Sequence, residues 1–165
     1  MKNYRDTGAS GALLDEYEKA IIELKDVVSK IPSGKLDFII DPDTPDLNCK
    51  SFQTILSHVV SAGYNYAIEV RRSLGEQVDY TEKIPLNSIE EYLAELDKMF
   101  QYNEKLFDDY PDLVIEEHDN DKKILVRWEQ LYDVEQLFEH AIVHILRHRR
   151  QIERFLIKMN NLQFN

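Results

Sequence analysis

Four long segments of the chain repeat apolar residues at steps of three and four, and this spacing restricts the fold more than any other feature. The segments span about residues 12–31, 51–74, 88–107 and 132–159. Apolar residues at such steps fall on one face of an α-helix, and that face must be buried against other elements. The pattern therefore predicts an all-α fold in which four long helices form a four-helix bundle.

Capping signals mark where two of these helices begin. Ser51 is placed as the N-cap of the second helix, and Ser88 with Glu91 forms the S-x-x-E pattern of a capping box before the third. Residues 113–128 lack helical periodicity, and we expect two short extended pieces around their Asp-Asn-Asp turn. A short extended or hairpin-like crossover is thus predicted before the last helix.

Length, charge and cysteine content narrow the classes of function. A chain of 165 residues with 43% hydrophobic content fits one helical domain over residues 1–165. Its apolar runs are far shorter than the ~18 to 20 residues that cross a bilayer, and MKNYRDTGASGA lacks a signal-peptide core, so we expect a cytoplasmic protein. The net charge of −11 opposes binding to nucleic acids and anionic membranes. Cys49 has no disulfide partner, and a catalytic thiol is the less favoured interpretation because Lys50 is its one basic neighbour.

The fourth segment carries two histidines on its apolar face. Steps of three and four pass through Val134, Leu137, Ala141, His144, His148, Gln151 and Phe155. Residues four apart on a helix lie ~6 Å apart at Cβ, so His144 and His148 can converge on one ion. His58, beside the apolar seam of the second segment, is the best candidate for a third ligand. The alternative is that these histidines are hydrogen-bonded core residues or solvated surface residues.

The remaining histidines have weaker claims to ligand roles. His140 lies two turns and ~12 Å of rise from His148, so we expect a supporting, solvated or structural role for it. His118 lies in a charged turn and is expected to be exposed. Three neutral histidines leave coordination positions open for water or substrate, as is typical of catalytic sites. The arginines expected to disfavour protonation of the rings are Arg147, Arg149, Arg150 and Arg154.

Three polar residues are weak candidates for catalytic roles. Gln151 and Tyr66 lie where they could orient ligands or substrate. Glu69 lies three residues beyond Tyr66 and could act as a general base. An ion pair between Glu69 and Arg72 is the favoured alternative.

The second and fourth segments resemble the DinB/YfiT-like superfamily of metal-dependent proteins. The resemblance rests on QTILSHVV, which contains His58, and on HAIVHILRHRRQ, which contains His144 and His148. The order and separation of the helices resemble the family over nearly the whole chain. Members often carry Gly between the Arg and Gln of the last motif, whereas this chain has Arg150. A long cationic side chain there could narrow the site or bind an anionic substrate.

The resemblance implies a DinB-like up-down-down-up bundle and a divalent metal held by three histidines. Carried over residue by residue, the ligands are His58, His144 and His148. Nickel or zinc is the expected metal, with iron or manganese as alternatives. The family's substrates include low-molecular-weight thiols such as bacillithiol or mycothiol, and its members often form dimers. A small-molecule substrate and a homodimer are therefore the expected partners.

Three functions are consistent with these observations. The leading one is a metal-dependent enzyme that activates water or a low-molecular-weight thiol, as a hydrolase or a thiol S-transferase. The second is a non-catalytic, stress-related metal-binding module whose coordination sphere is closed by a fourth ligand such as Glu69. The third is a structural, dimerising bundle without a metal.

Overall fold

The chain forms an all-α four-helix bundle with a small hairpin before the last helix. The structure, a computed structural model, describes residues 4–163 and side chains up to residue 161, so both ends of the predicted 1–165 domain lie outside the described residues. The helices are α1 (Gly8–Val28), α2 (Phe52–Ser73), α3 (Ile89–Asp109) and α4 (Val134–Gln163), and the hairpin pairs β1 (Ile124–Leu125) with β2 (Leu131–Tyr132).

Three of the helices begin at reciprocal capping pairs. In each pair the first side chain accepts a hydrogen bond from the backbone N–H three residues on, and that residue's side chain accepts from the cap's own N–H. These bonds satisfy donors that the first turn of a helix leaves unpaired. The pairs are Ser51 with Thr54, Ser88 with Glu91, and Asp133 with Gln136. The two predicted serine caps are confirmed.

The first helix covers a different span from the one predicted. It runs over Gly8–Val28, whereas the apolar pattern extends to residue 31. The backbone N–H groups of Lys30 and Ile31 donate to carbonyls three residues back, at 3.1 Å, which is a tighter turn than an α-helix. Ile31 is still buried after the helix has ended, so the apolar periodicity alone predicts a helix that extends too far toward the C-terminus.

The hairpin is confirmed, but its predicted turn at Asp-Asn-Asp is wrong. Those residues enter a short 3₁₀ segment, Asn120–Lys122, capped by the side chain of Asp119. The hairpin turn lies later, where the backbone N–H of Val126 donates to the carbonyl of Gln130 at 3.0 Å. Glu129 adopts a φ of 63° there. Glycine or asparagine usually marks such a position, and glutamate gives no comparable signal.

Contacts between α2 and α3 show that these two helices run parallel. Ser57 meets Tyr92 near their beginnings, and Arg71 pairs with Asp109 near their ends. Parallel neighbours need a long connection, and residues 74–88 return along the bundle to supply it. This segment is fixed by the side-chain amide of Gln53, which donates to the carbonyl of Leu86 at 2.9 Å.

The other contacts orient α1 and α4. Both helices run in one direction, opposite to α2, so the bundle has an up-down-down-up arrangement. Residues later in α1 contact residues later in α4, as the pairs Tyr17 with Phe138 and Glu23 with Arg149 show, so these two helices are parallel. Residues early in α2 contact residues late in α4, as the pairs Phe52 with Phe155 and Tyr66 with His140 show, so these two helices are antiparallel. In the part of the chain that the structure describes, no helix is long and apolar enough to cross a membrane.

Replacing Tyr92 by phenylalanine is expected to destabilise the bundle. The buried hydroxyl of Tyr92 lies 2.6 Å from Ser57 Oγ, accepts from Leu86 N and donates to the carbonyl of Gln53. Its removal leaves these groups unpaired, so Tyr92→Phe should lower the free energy of unfolding by about 1–3 kcal/mol. Urea denaturation measures the change. Tyr102→Phe is the control, since the Tyr102 hydroxyl makes no hydrogen bond to any described residue, and equal losses in both variants would contradict the prediction.

Candidate metal centre

Three imidazoles from two antiparallel helices converge on one point inside the bundle. His58 comes from α2, and His144 with His148 comes from successive turns of α4. The Nε2 atom of His144 lies 2.9 Å from Nε2 of His58 and 3.2 Å from Nε2 of His148. The ligand atoms of all three residues lie within 4.8 Å of one another, so the group could bind a metal ion. The structure thus brings together the three predicted ligands.

Protons alone cannot satisfy this cluster. The Nδ1 atom of His148 lies 3.0 Å from Oε1 of Gln151, which only accepts, so Nδ1 carries the proton and Nε2 presents a lone pair. If Nε2 of His144 is protonated, it can direct its one proton at His148 or at His58. If it is unprotonated, it repels the lone pair of His148. At most one of the two short contacts is therefore a regular hydrogen bond.

Two of the three distances between the nitrogens are close to those that a transition-metal ion requires. Two nitrogens that each lie ~2.1 Å from one ion are about 3.0 Å apart at a right angle and about 3.4 Å apart at a tetrahedral angle. The distances of 2.9 Å and 3.2 Å to His144 Nε2 lie close to this range. A cation that accepts all three lone pairs would satisfy the contacts that a proton leaves unsatisfied, so the residues present fit a metal.

Burial keeps the rings neutral and able to bind. Desolvation lowers the pKa of His144 to about 2 and that of His58 to about 4, and the charge of a protonated His148 opposes protonation further. Arg147 contributes less than either cause. From the sequence, four arginines were expected to oppose protonation of the rings. One of them, Arg149, instead forms an ion pair with Glu23.

Two of the three rings have no hydrogen-bond partner at the nitrogen that faces away from the cluster. The Nδ1 atoms of His58 and His144 are buried and have no hydrogen-bond partner among residues 4–161. The ring of Tyr66 packs edge-on against His144 with centroids 5.8 Å apart, which restricts the rotation of that imidazole. Gln151 is therefore the one residue in the described structure that fixes the tautomer of one of the three rings by a side-chain hydrogen bond, and its predicted role in orienting a ligand or substrate stays a prediction.

Glu69 lies apart from the three histidines. Its carboxylate accepts hydrogen bonds from the hydroxyl of Tyr80 at 3.0 Å and from the backbone N–H of Arg127 at 3.1 Å. Arg72, its expected ion-pair partner, donates to the carbonyl of Val78 instead. Glu69 therefore ties the end of α2 to the hairpin.

His140 stands one turn from the cluster in an aromatic group that sequence reasoning missed. Its Nδ1 atom lies 3.2 Å from the hydroxyl of Tyr132, and its ring packs against Trp128 and Tyr66. The hairpin brings Trp128 and Tyr132 to α4, and no spacing in the sequence signals this contact. His140 thus supports the wall beside the ligands, while His118 is exposed as expected.

A cavity of about 410 Å³ opens beside His148. Its wall includes Asp46 and Cys49, from the loop before α2, and Gln151 from α4. The Cys49 thiol contacts the oxygen of Gln151 at 3.6 Å. Burial raises the pKa of Cys49, which disfavours its thiolate form. A contact across 102 residues leaves no local signal in the sequence.

In the metal-free protein, His58 and His144 should stay neutral from pH 8 to about pH 5, because burial lowers both pKa values. The unfolded chain takes up protons near pH 6.5, so the stability contributed by the neutral rings is present above that pH and is lost as the pH falls. NMR titration of the ring protons measures the pKa values. A midpoint near 6.5 for either ring would show that it faces solvent.

Comparison with protein-family models, curated proteins and solved structures finds no match for this chain. The resemblance to the DinB/YfiT-like superfamily therefore stays a prediction.

Proposed function

We propose that the protein is a divalent-metal-dependent enzyme of the DinB-like type, with His58, His144 and His148 as the metal ligands. The convergence of their three Nε2 atoms carries this proposal, and His148 also lies in the wall of an open cavity. Imidazole nitrogens suit nickel, zinc and iron, and a site without carboxylate ligands favours nickel or zinc over manganese.

The proposed chemistry is activation of a nucleophile. A bound divalent ion lowers the pKa of water or of a low-molecular-weight thiol, so that hydrolysis or thiol transfer proceeds at neutral pH. The chain's own contribution is to hold the rings neutral by burial and to fix His148 through Gln151. Tyr66 and His140 form a wall of aromatic rings beside the ligands that limits the space for solvent and substrate.

Two observations favour an enzyme over a non-catalytic metal-binding module. Among the residues described, no carboxylate, cysteine or fourth histidine joins the group of three, and three protein ligands leave at least one coordination position open. Glu69, which would close the sphere in a non-catalytic module, is engaged by Tyr80 and Arg127.

The proposal predicts that His144→Ala abolishes binding of nickel and zinc. His144 contacts both other ligands, so its loss leaves two imidazoles on different helices with no common partner. Wild-type protein should bind about one equivalent of metal. At a metal concentration about 100 times the Kd, binding should raise the free energy of unfolding by about 2.7 kcal/mol. Calorimetric titration and thermal melting measure both effects.

His140→Ala is the matched control, because it removes an imidazole from the same helix one turn away and should leave metal binding intact. Metal-loaded wild-type and His140→Ala proteins are then assayed with a panel of thiols and electrophiles, and turnover should disappear in His144→Ala. Wild-type protein that takes up neither metal, with no change in melting temperature, contradicts the proposal.

Gln151→Leu should weaken metal binding about 10–100-fold, as loss of a supporting hydrogen bond usually does. The leucine cannot accept the proton of His148 Nδ1, so the ring loses its fixed tautomer. Gln151→Glu keeps an acceptor at the same distance and should retain the affinity. The same affinity in the leucine variant as in the wild type would show that Gln151 does not position His148.

A further inference from the structure

Three arginines line the cavity that opens at His148. Arg147, Arg150 and Arg154 follow one another on α4 at steps of three and four, which places their side chains on one side of the helix. All three are exposed to solvent. The cavity at His148 is therefore bordered by a row of positive charges.

None of these three arginines makes an ion pair with any residue between 4 and 161. Arg149, on another face of the helix, pairs with Glu23 and Glu153, so carboxylates are within reach of α4. The chain has 31 acidic and 20 basic residues, and an acidic excess makes an unpaired cationic row unusual. Clustered like charges repel one another, and an anion that binds between them relieves this repulsion.

The single carboxylate in the cavity wall is engaged elsewhere. Asp46 accepts hydrogen bonds from the backbone and side-chain nitrogens of Asn48, both at 2.9 Å, and from the thiol of Cys49. These contacts hold its loop in place and leave the guanidinium groups of the row without a protein anion. The wall carries three positive charges against one negative charge.

We propose that the cavity lined by Arg147, Arg150 and Arg154 binds a carboxylate or phosphate group of a small anionic substrate. Guanidinium groups bind both kinds of oxyanion through paired N–H donors. The cavity volume of about 410 Å³ lies within the range for small-molecule sites. Because His148 belongs to the same wall, a molecule anchored at the arginines lies beside one of the three proposed metal ligands. The inference deepens the proposed function and rests on it for the location of the reacting atoms.

Titration of the metal-free protein with inorganic phosphate and with succinate, at low ionic strength, tests the anion site. Arg150→Gln combined with Arg154→Gln should weaken binding by about 10-fold or more, since it removes two charged donors. Arg72→Gln combined with Arg127→Gln is the matched control. It makes the same change in net charge at two exposed arginines that pack on Tyr80, and it should leave affinity within about 2-fold. Tighter phosphate binding identifies a phosphorylated substrate, and tighter succinate binding identifies a carboxylate substrate.

A second measurement keeps the inference separate from the metal proposal. Phosphate should shift the side-chain Nε–Hε NMR signals of Arg150 and Arg154 in wild-type protein and in His144→Ala, while the Arg150→Gln, Arg154→Gln variant should still bind nickel. Anion binding without nickel binding would overturn the metal-dependent function alone. The anion site is overturned if neither anion binds at about 10 mM, or if the control variant weakens binding as much as the test variant.

Discussion

The burial of two imidazoles and an amide on the inner face of α4 is the constraint that organises this site. An unpaired polar group in a core costs about 1–3 kcal/mol, and His144 and His148 are both almost fully buried. The two rings meet each other, Gln151 and the ring of His58, and the three imidazoles lie close enough together that they could bind a metal ion. The antiparallel packing of α2 on α4 therefore forms this cluster as well as part of the core.

Most of the fold and the ligand set could be predicted because they depend on local periodicity. The side chains of Ser51 and Ser88 cap their helices through hydrogen bonds within one turn, so these residues predict where α2 and α3 begin. The apolar spacing along α4 predicts that His144 and His148 face the core. His58 was predicted because it lies next to the corresponding seam of α2. In each case a short-range pattern determines which face of a helix is buried, and burial then determines which side chains meet.

Features that depend on the path of irregular segments could not be predicted. Glu129 adopts the positive φ of the hairpin turn, where a glycine would have indicated the turn in the sequence. Because the turn lies there, the hairpin brings Trp128 and Tyr132 into contact with His140. The loop carrying Asp46 and Cys49 reaches α4 across about a hundred residues, so the cavity beside His148 has no local signature. Glu69 was placed correctly on α2, but its partners come from those same irregular segments.

The three nitrogens form a triangle whose sides differ in stiffness. The side between His144 and His148 is set by the geometry of one α-helix turn, which hardly deforms. The side between His58 and His144 is set by how closely α2 lies against α4, and the core of the bundle, which includes Ile55 and Val59 of α2, holds the helices together. Remote substitutions that swell or tighten this interface would lengthen or shorten one side alone. Core residues that touch none of the three imidazoles therefore influence the distances between the nitrogens, and with them the size of any ion that the cluster could bind.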